Sequence, residues 1–114
     1  MLSIEQIVID CADAARLAGF WSRALSRPVD EGASEYFAVI GGTPKLMFLK
    51  VPEPKKVKNR LHLDLSGPGW VGEVERLLTL GATKISEHQE YGTEWVTLAD
   101  PEGNEFDVGA GLPA

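Results

Sequence analysis

Apolar and polar residues alternate along Ile7-Val8-Ile9-Asp10-Cys11, which predicts a first strand within Ile4 to Cys11, with Ile7, Ile9 and Cys11 on one face and Gln6, Val8 and Asp10 on the other. The period then lengthens. After Asp13, a residue suited to capping a first turn, Leu17, Phe20, Trp21, Ala24 and Leu25 recur at helical spacing, and Pro28 limits the helix. Gly19 inside that helix is expected where a neighbouring strand comes close. Tyr36 to Ile40 and Leu46 to Val51 are β-rich runs joined by Gly41-Gly42-Thr43-Pro44, the pattern of a hairpin, and a short earlier strand is expected near Pro28 to Glu31. Pro52-Glu53-Pro54-Lys55-Lys56 can neither pair in a sheet nor extend a helix, so residues 52–58 read as a linker.

The pattern then restarts. In Asn59-Arg60-Leu61-His62-Leu63-Asp64-Leu65 the three leucines fall on one face of a predicted strand, Leu61 to Leu65, and His62 and Asp64 on the other. A turn at Ser66-Gly67-Pro68-Gly69 leads into a helix carrying Val71, Val74, Leu77 and Leu78 on one side, with Gly81 as its cap. A strand over Thr83 to Ser86, a polar loop through Tyr91-Gly92, a strand over Glu94 to Ala99, the turn Asp100-Pro101-Glu102-Gly103-Asn104 and a strand over Glu105 to Val108 complete the chain. Strand, helix and three strands thus occur twice, in module one (1–52) and module two (59–112) of a single α+β domain. One such unit cannot bury both faces of its sheet, whereas two can close around a shared cavity with the helices outside. The same offset aligns Gln6 with His62, Ile7 with Leu63 and Ile9 with Leu65, so that Gln6, His62 and Asp64 face inward.

Composition narrows the partners. Seventeen acidic residues against eleven basic ones give a formal charge of -6, which repels a phosphate backbone and excludes nucleic acid as the expected partner. The apolar runs are far shorter than the roughly 20 residues of a membrane span, and the N-terminus has no signal-peptide pattern, so a soluble cytoplasmic protein without membrane attachment is expected. Cys11 is the single cysteine, which leaves no intramolecular disulfide and no cysteine-rich metal site. It shares the face of Ile7 and Ile9 and is expected to be buried.

His62 with Asp64 can be read as a metal-ligand or general-base pair, or as a solvated strand face on which Asp64 pairs with Arg60. His88, in Ser86-Glu87-His88-Gln89-Glu90, reads as a solvated loop residue near a cavity mouth. Trp95 alternates with Val96 and is expected to point inward, where Tyr36, Phe48 and Trp95 would line a flat apolar wall for a planar ligand, or else pack together and fill the space.

Through Ile7-Val8-Ile9-Asp10-Cys11-Ala12-Asp13, Phe20-Trp21, Asn59 to Leu65, Leu80-Gly81-Ala82-Thr83 and Asp100-Pro101-Glu102-Gly103-Asn104-Glu105-Phe106, the chain resembles the vicinal oxygen chelate superfamily, in its glyoxalase-like domain branch. The resemblance implies two βαβββ modules forming an open eight-stranded barrel-like sheet around a divalent metal, often in a homodimer. Its metal-ligand positions fall on Gln6, His62 and Asp107, and the strand end of module one offers Phe48 or Leu49 where a further ligand would be wanted. Nickel, zinc, manganese and iron are the implied ions, held by an incomplete ligand set. Asp64 or Glu105 would supply the base. Two functions remain open: metal-assisted isomerase, lyase or dioxygenase-like chemistry on a small oxygenated metabolite, and metal-free ligand binding or sequestration of the bleomycin-resistance type.

Overall fold

The computed structural model describes residues 1–111. The chain divides into two compact units, one ending at Pro54 and the next beginning at Lys55. In the first unit, β1 (Ile7–Cys11) leads to α1 (Ala14–Leu25), followed by β2 (Phe37–Ile40) and β3 (Leu46–Lys50). Asp13 caps α1 as its spacing predicts, accepting the backbone N–H of Arg16 at 3.2 Å. Ser26 closes the helix in the left-handed region, and its N–H returns to the Ser22 carbonyl. β3 lies between β1, which runs parallel to it, and β2, which runs antiparallel. The register puts Leu46 beside Ile7 and Ile40, and Phe48 beside Ile9 and Ala38. Partners across a ladder share a face, so this face meets the stripe of Leu17, Phe20 and Trp21 on α1 in a closed core. Cys11 is buried there too. The opposite face, with Val8, Phe37 and Leu49, stays well exposed.

No strand presses on Gly19. A Cβ at that position would meet only the Arg23 guanidinium, at 3.7 Å, so the expected close approach is absent. The Arg27 side chain instead organises the end of the β2–β3 hairpin, donating to the carbonyls of Gly41 and Pro44, the latter at 2.7 Å.

The second unit contains β4 (Asp64–Ser66), α2 (Trp70–Leu80), β5 (Thr83–Glu90), β6 (Thr93–Ala99) and β7 (Glu105–Gly109), with its sheet ordered β4-β7-β6-β5. Val96, Leu98, Phe106 and Val108 are buried on one face, and Val74 and Leu77 of α2 are buried with them. Asp100 shapes the β6–β7 turn. Its Oδ1 accepts the N–H groups of Glu102 and Asn104, and Gly103 takes the positive φ that lets the chain reverse.

Three expectations about strands are corrected. Seven strands in separate three- and four-stranded sheets are present among the described residues, rather than eight in one barrel-like sheet. The segment near Pro28 to Glu31 makes only an isolated bridge, Val29 to Ile40, because Pro28 has no N–H to donate and the chain leaves the ladder after Asp30. The strand expected over Leu61 to Leu65 begins only at Asp64, and Leu61 is exposed. Conversely, the polar loop expected after Ser86 is strand as far as Glu90, paired to β6 with His88 opposite Trp95 and closed by Tyr91-Gly92, both at positive φ. β5 is an edge strand, where charged residues discourage pairing with another chain, so its composition resembles that of a loop.

Candidate functional site

The second sheet sets a row of polar side chains on the face away from its core. Asp64 on β4 is paired with Asp107 on β7, and Asp107 is paired in turn with Thr97 on β6. His62, just before β4, leans over this row. Its Nδ1 lies 2.8 Å from Asp64 Oδ1 and 3.7 Å from Asp107 Oδ2. His62, Asp64 and Asp107 each present one ligand atom, and these atoms lie within 4.8 Å of one another.

A side-chain clasp explains why His62 holds this place without being in a strand. Asn59 Oδ1 accepts the Glu105 N–H at 2.7 Å, while its Nδ2 donates to the carbonyls of Glu105, at 2.9 Å, and Leu61, at 3.0 Å. One amide thus ties the start of β7 to the segment carrying His62, and the Asp107 N–H then reaches the Leu63 carbonyl at 3.0 Å. Thr97 Oγ1 donates to Asp107 Oδ1 at 2.6 Å. The Asp107 side chain is 22% exposed against 71% for Asp64, so the first is the better anchored of the two carboxylates.

A cavity of about 390 Å³ opens beside this row, with Asp64, Ser66, Tyr91, Glu94, Trp95 and Asp107 in its wall. Trp95 lies opposite Gly109 on β7, and a Cβ at 109 would stand 2.4 Å from the Glu94 carbonyl and 2.6 Å from Trp95 Cβ. Only glycine lets the two strands approach this closely. On its other side Trp95 stacks with His88, their ring centroids 5.0 Å apart, and His88 Nε2 is hydrogen-bonded to Ser86 Oγ at 2.7 Å. The Tyr91 ring is nearly parallel to Trp95, at 6.4 Å.

The structure therefore brings His62, Asp64 and Asp107 together. Asp64 meets His62 rather than Arg60 and lies in the same group of possible ligands. Glu105 shares the strand face of Asp107 but lies outside the group of three. Gln6 belongs to the first unit, where its amide donates weakly to Met47 Sδ at 3.8 Å. Tyr36 and Phe48 are also in the first unit. Phe48 is fully enclosed in the core, and Tyr36 lies on the surface beneath the Lys50 ammonium. Sequence reasoning assigned no role to Thr97 or the Asn59 clasp and took His88 for a loop residue. Parity alone would have put Thr97 on the face of Trp95.

The Glu35 carboxylate, accepting a hydrogen bond from Lys50, raises that ammonium's pKa, and the Lys84 ammonium, donating to Glu87, holds the Glu87 carboxyl below its usual range.

An imidazole with two carboxylates is a donor set suited to borderline and hard divalent ions such as manganese, iron and zinc, and the paired carboxylates offset the ion's charge. The contacts of 2.8 and 3.7 Å also bracket the separation a small ion needs. Donors are about 3.4 Å apart in a tetrahedral shell with bonds of about 2.1 Å. These residues fit a divalent metal.

Known structures place the fold. One that resembles it is a glyoxalase/bleomycin resistance protein/dioxygenase family enzyme from Burkholderia phytofirmans PsJN, with 18% identity over 97% of this chain and 100% of that one, at a TM-score of 0.81. Another is a mutant of the fosfomycin resistance protein FosX from Listeria monocytogenes, complexed with Mn(II) and 1S,2S-dihydroxypropylphosphonic acid; identity is 15%, over 98% and 92% of the two chains, with a TM-score of 0.76. A lactoylglutathione lyase from Agrobacterium tumefaciens matches at 14% identity over 97% and 95%, with a TM-score of 0.70. These likenesses show a fold shared with all three proteins. Residues 6–109 match the glyoxalase-like domain, and the chain belongs to that family. No curated protein matches it.

Proposed function

We propose that this chain binds a small oxygenated metabolite beside a divalent ion held by His62, Asp64 and Asp107. The observation that carries this reading is the convergence of one imidazole and two carboxylates within 4.8 Å, with both carboxylates in the wall of a cavity of about 390 Å³. That volume suits a metabolite rather than a macromolecule. A bound ion would polarise substrate oxygens as a Lewis acid. The chain's own residues do the rest. Trp95 and Tyr91 present ring surface to the apolar or planar part of the ligand, and Glu105, two residues before Asp107 on the same face, and Glu94 in the cavity wall are the carboxylates left for proton transfer. The manganese and the diol of the FosX complex are a ligand pair of this kind in a protein of the same fold.

Metal-free ligand binding is the second reading, supported by the Trp95 surface and by Phe48 and Leu49, which carry no ligand atom at the strand end of the first unit. Thermal melts of metal-stripped protein with nickel, zinc, manganese and ferrous iron, in wild type and His62→Ala, separate the two. A metal at one hundred times its Kd adds about 2.7 kcal/mol to the folded state, roughly 10 °C or more for a domain of this size. A shift of that order in wild type, lost in His62→Ala, is the expected outcome. No shift with any metal would sink this function and leave the metal-free reading.

A further inference from the structure

We propose that Thr97 is a positioning residue that fixes which oxygen of Asp107 faces the metal, and so makes that carboxylate a one-oxygen ligand. This rests on the metal site proposed above. Thr97 and Asp107 are register partners on adjacent strands, so their side chains leave the same face of the sheet at one level. Thr97 is 9% exposed, and its Oγ1 donates to Asp107 Oδ1 at 2.6 Å, the length of a strong hydroxyl-to-carboxylate bond. A β-branched side chain on a strand has few rotamers, which keeps this donor in place. The bond occupies Oδ1. Oδ2 is left as the oxygen turned toward His62, 3.7 Å from Nδ1.

The consequence is selectivity. Calcium takes six to eight oxygens and often both oxygens of a carboxylate, whereas smaller ions accept compact shells with single-oxygen carboxylates. A carboxylate with one oxygen committed to a hydroxyl therefore favours manganese, iron or zinc over calcium. Without the hydroxyl, Asp107 can rotate and offer both oxygens. Affinity for the small ion then falls while calcium loses less.

Titrating the metal-stripped full chain with Mn²⁺ and with Ca²⁺, followed by calorimetry and by the Mn²⁺ spin-resonance signal, tests this without any substrate. Thr97→Val is expected to weaken manganese binding by about 10- to 100-fold, the usual effect of losing a partner that orients a ligand, and to narrow the manganese-over-calcium preference. Thr97→Ser, which keeps the hydroxyl, is expected to restore both. Thr97→Ala replaces the valine variant if that chain does not fold. Manganese binding and preference unchanged in the variant lacking the hydroxyl, or lost equally in Thr97→Ser, would overturn the role of Thr97 alone. Absence of metal binding in wild type would overturn the metal site and this role with it.

Discussion

Asp64 and Asp107 face each other across β4 and β7, and two like charges in directly opposed positions repel. In the metal-free chain, Asp64→Asn is expected to raise stability by up to about 1 kcal/mol, the usual range for a cross-strand pair. The same substitution should weaken metal binding, because it replaces one of two anionic donors with a neutral amide. Asp107→Asn should weaken it more, since Asp107 is the less exposed of the two and is already held by Thr97, so less ordering is required when it binds. Melting curves of the stripped variants and manganese titrations check both halves. Equal or greater stability of the wild type without metal would show that His62, bonded to Asp64, already relieves the repulsion.

At the scale of elements, the segment that carries His62 is not strand, and its placement depends on Asn59. Replacing Asn59 with alanine leaves the Glu105 N–H and carbonyl and the Leu61 carbonyl without their side-chain partner. The expected cost is about 1–3 kcal/mol of stability, together with a loss of metal affinity although no donor atom has been touched. Comparison with Asn59→Asp separates the two bonding roles. The aspartate can accept the Glu105 N–H but cannot donate to the two carbonyls, so it should recover part of the stability and less of the affinity. Affinity unchanged in Asn59→Ala would mean that the Asp107–Leu63 backbone bond suffices to place His62. The β5 strand carries the complementary lesson. Its charged residues read as loop until β6 is seen beside them, because backbone pairing rather than side-chain burial holds an edge strand.

At the scale of the whole molecule, the three candidate donors all come from the second of the two units. A zinc or manganese titration of Gln6→Ala asks whether these three donors suffice: affinity nearly unchanged would mean that they do. A large loss would mean that the first unit supplies a ligand, as the family position of Gln6 implies. The acidic balance of the chain, seventeen carboxylate residues against eleven basic ones, acts in the same direction as the site by attracting a divalent cation, so uptake should slow as salt screens it.

Periodicity, caps and turns were legible in the sequence because they are local. The α1 stripe from Leu17 to Leu25 with its Asp13 cap, Val74 and Leu77 of the α2 stripe with Gly81 at its end, though Val71 is exposed, and the turn at Asp100 depend on residues a few positions apart. The order of strand, helix and strands was legible for the same reason, although the first unit has two strands after its helix rather than three, and so was the placing of His62 and Asp64 on one side of the segment, whereas Asp107 came only from the family resemblance. What tertiary structure decided was which strands became neighbours. Only the order β4-β7-β6 brings Asp64, Asp107 and Thr97 into one row, sets Asp64 and Asp107 together beside His62, and lets Asn59 clasp Glu105 far along the chain. Those contacts join residues distant in sequence, and no local pattern records them because the chain must close before the side chains meet.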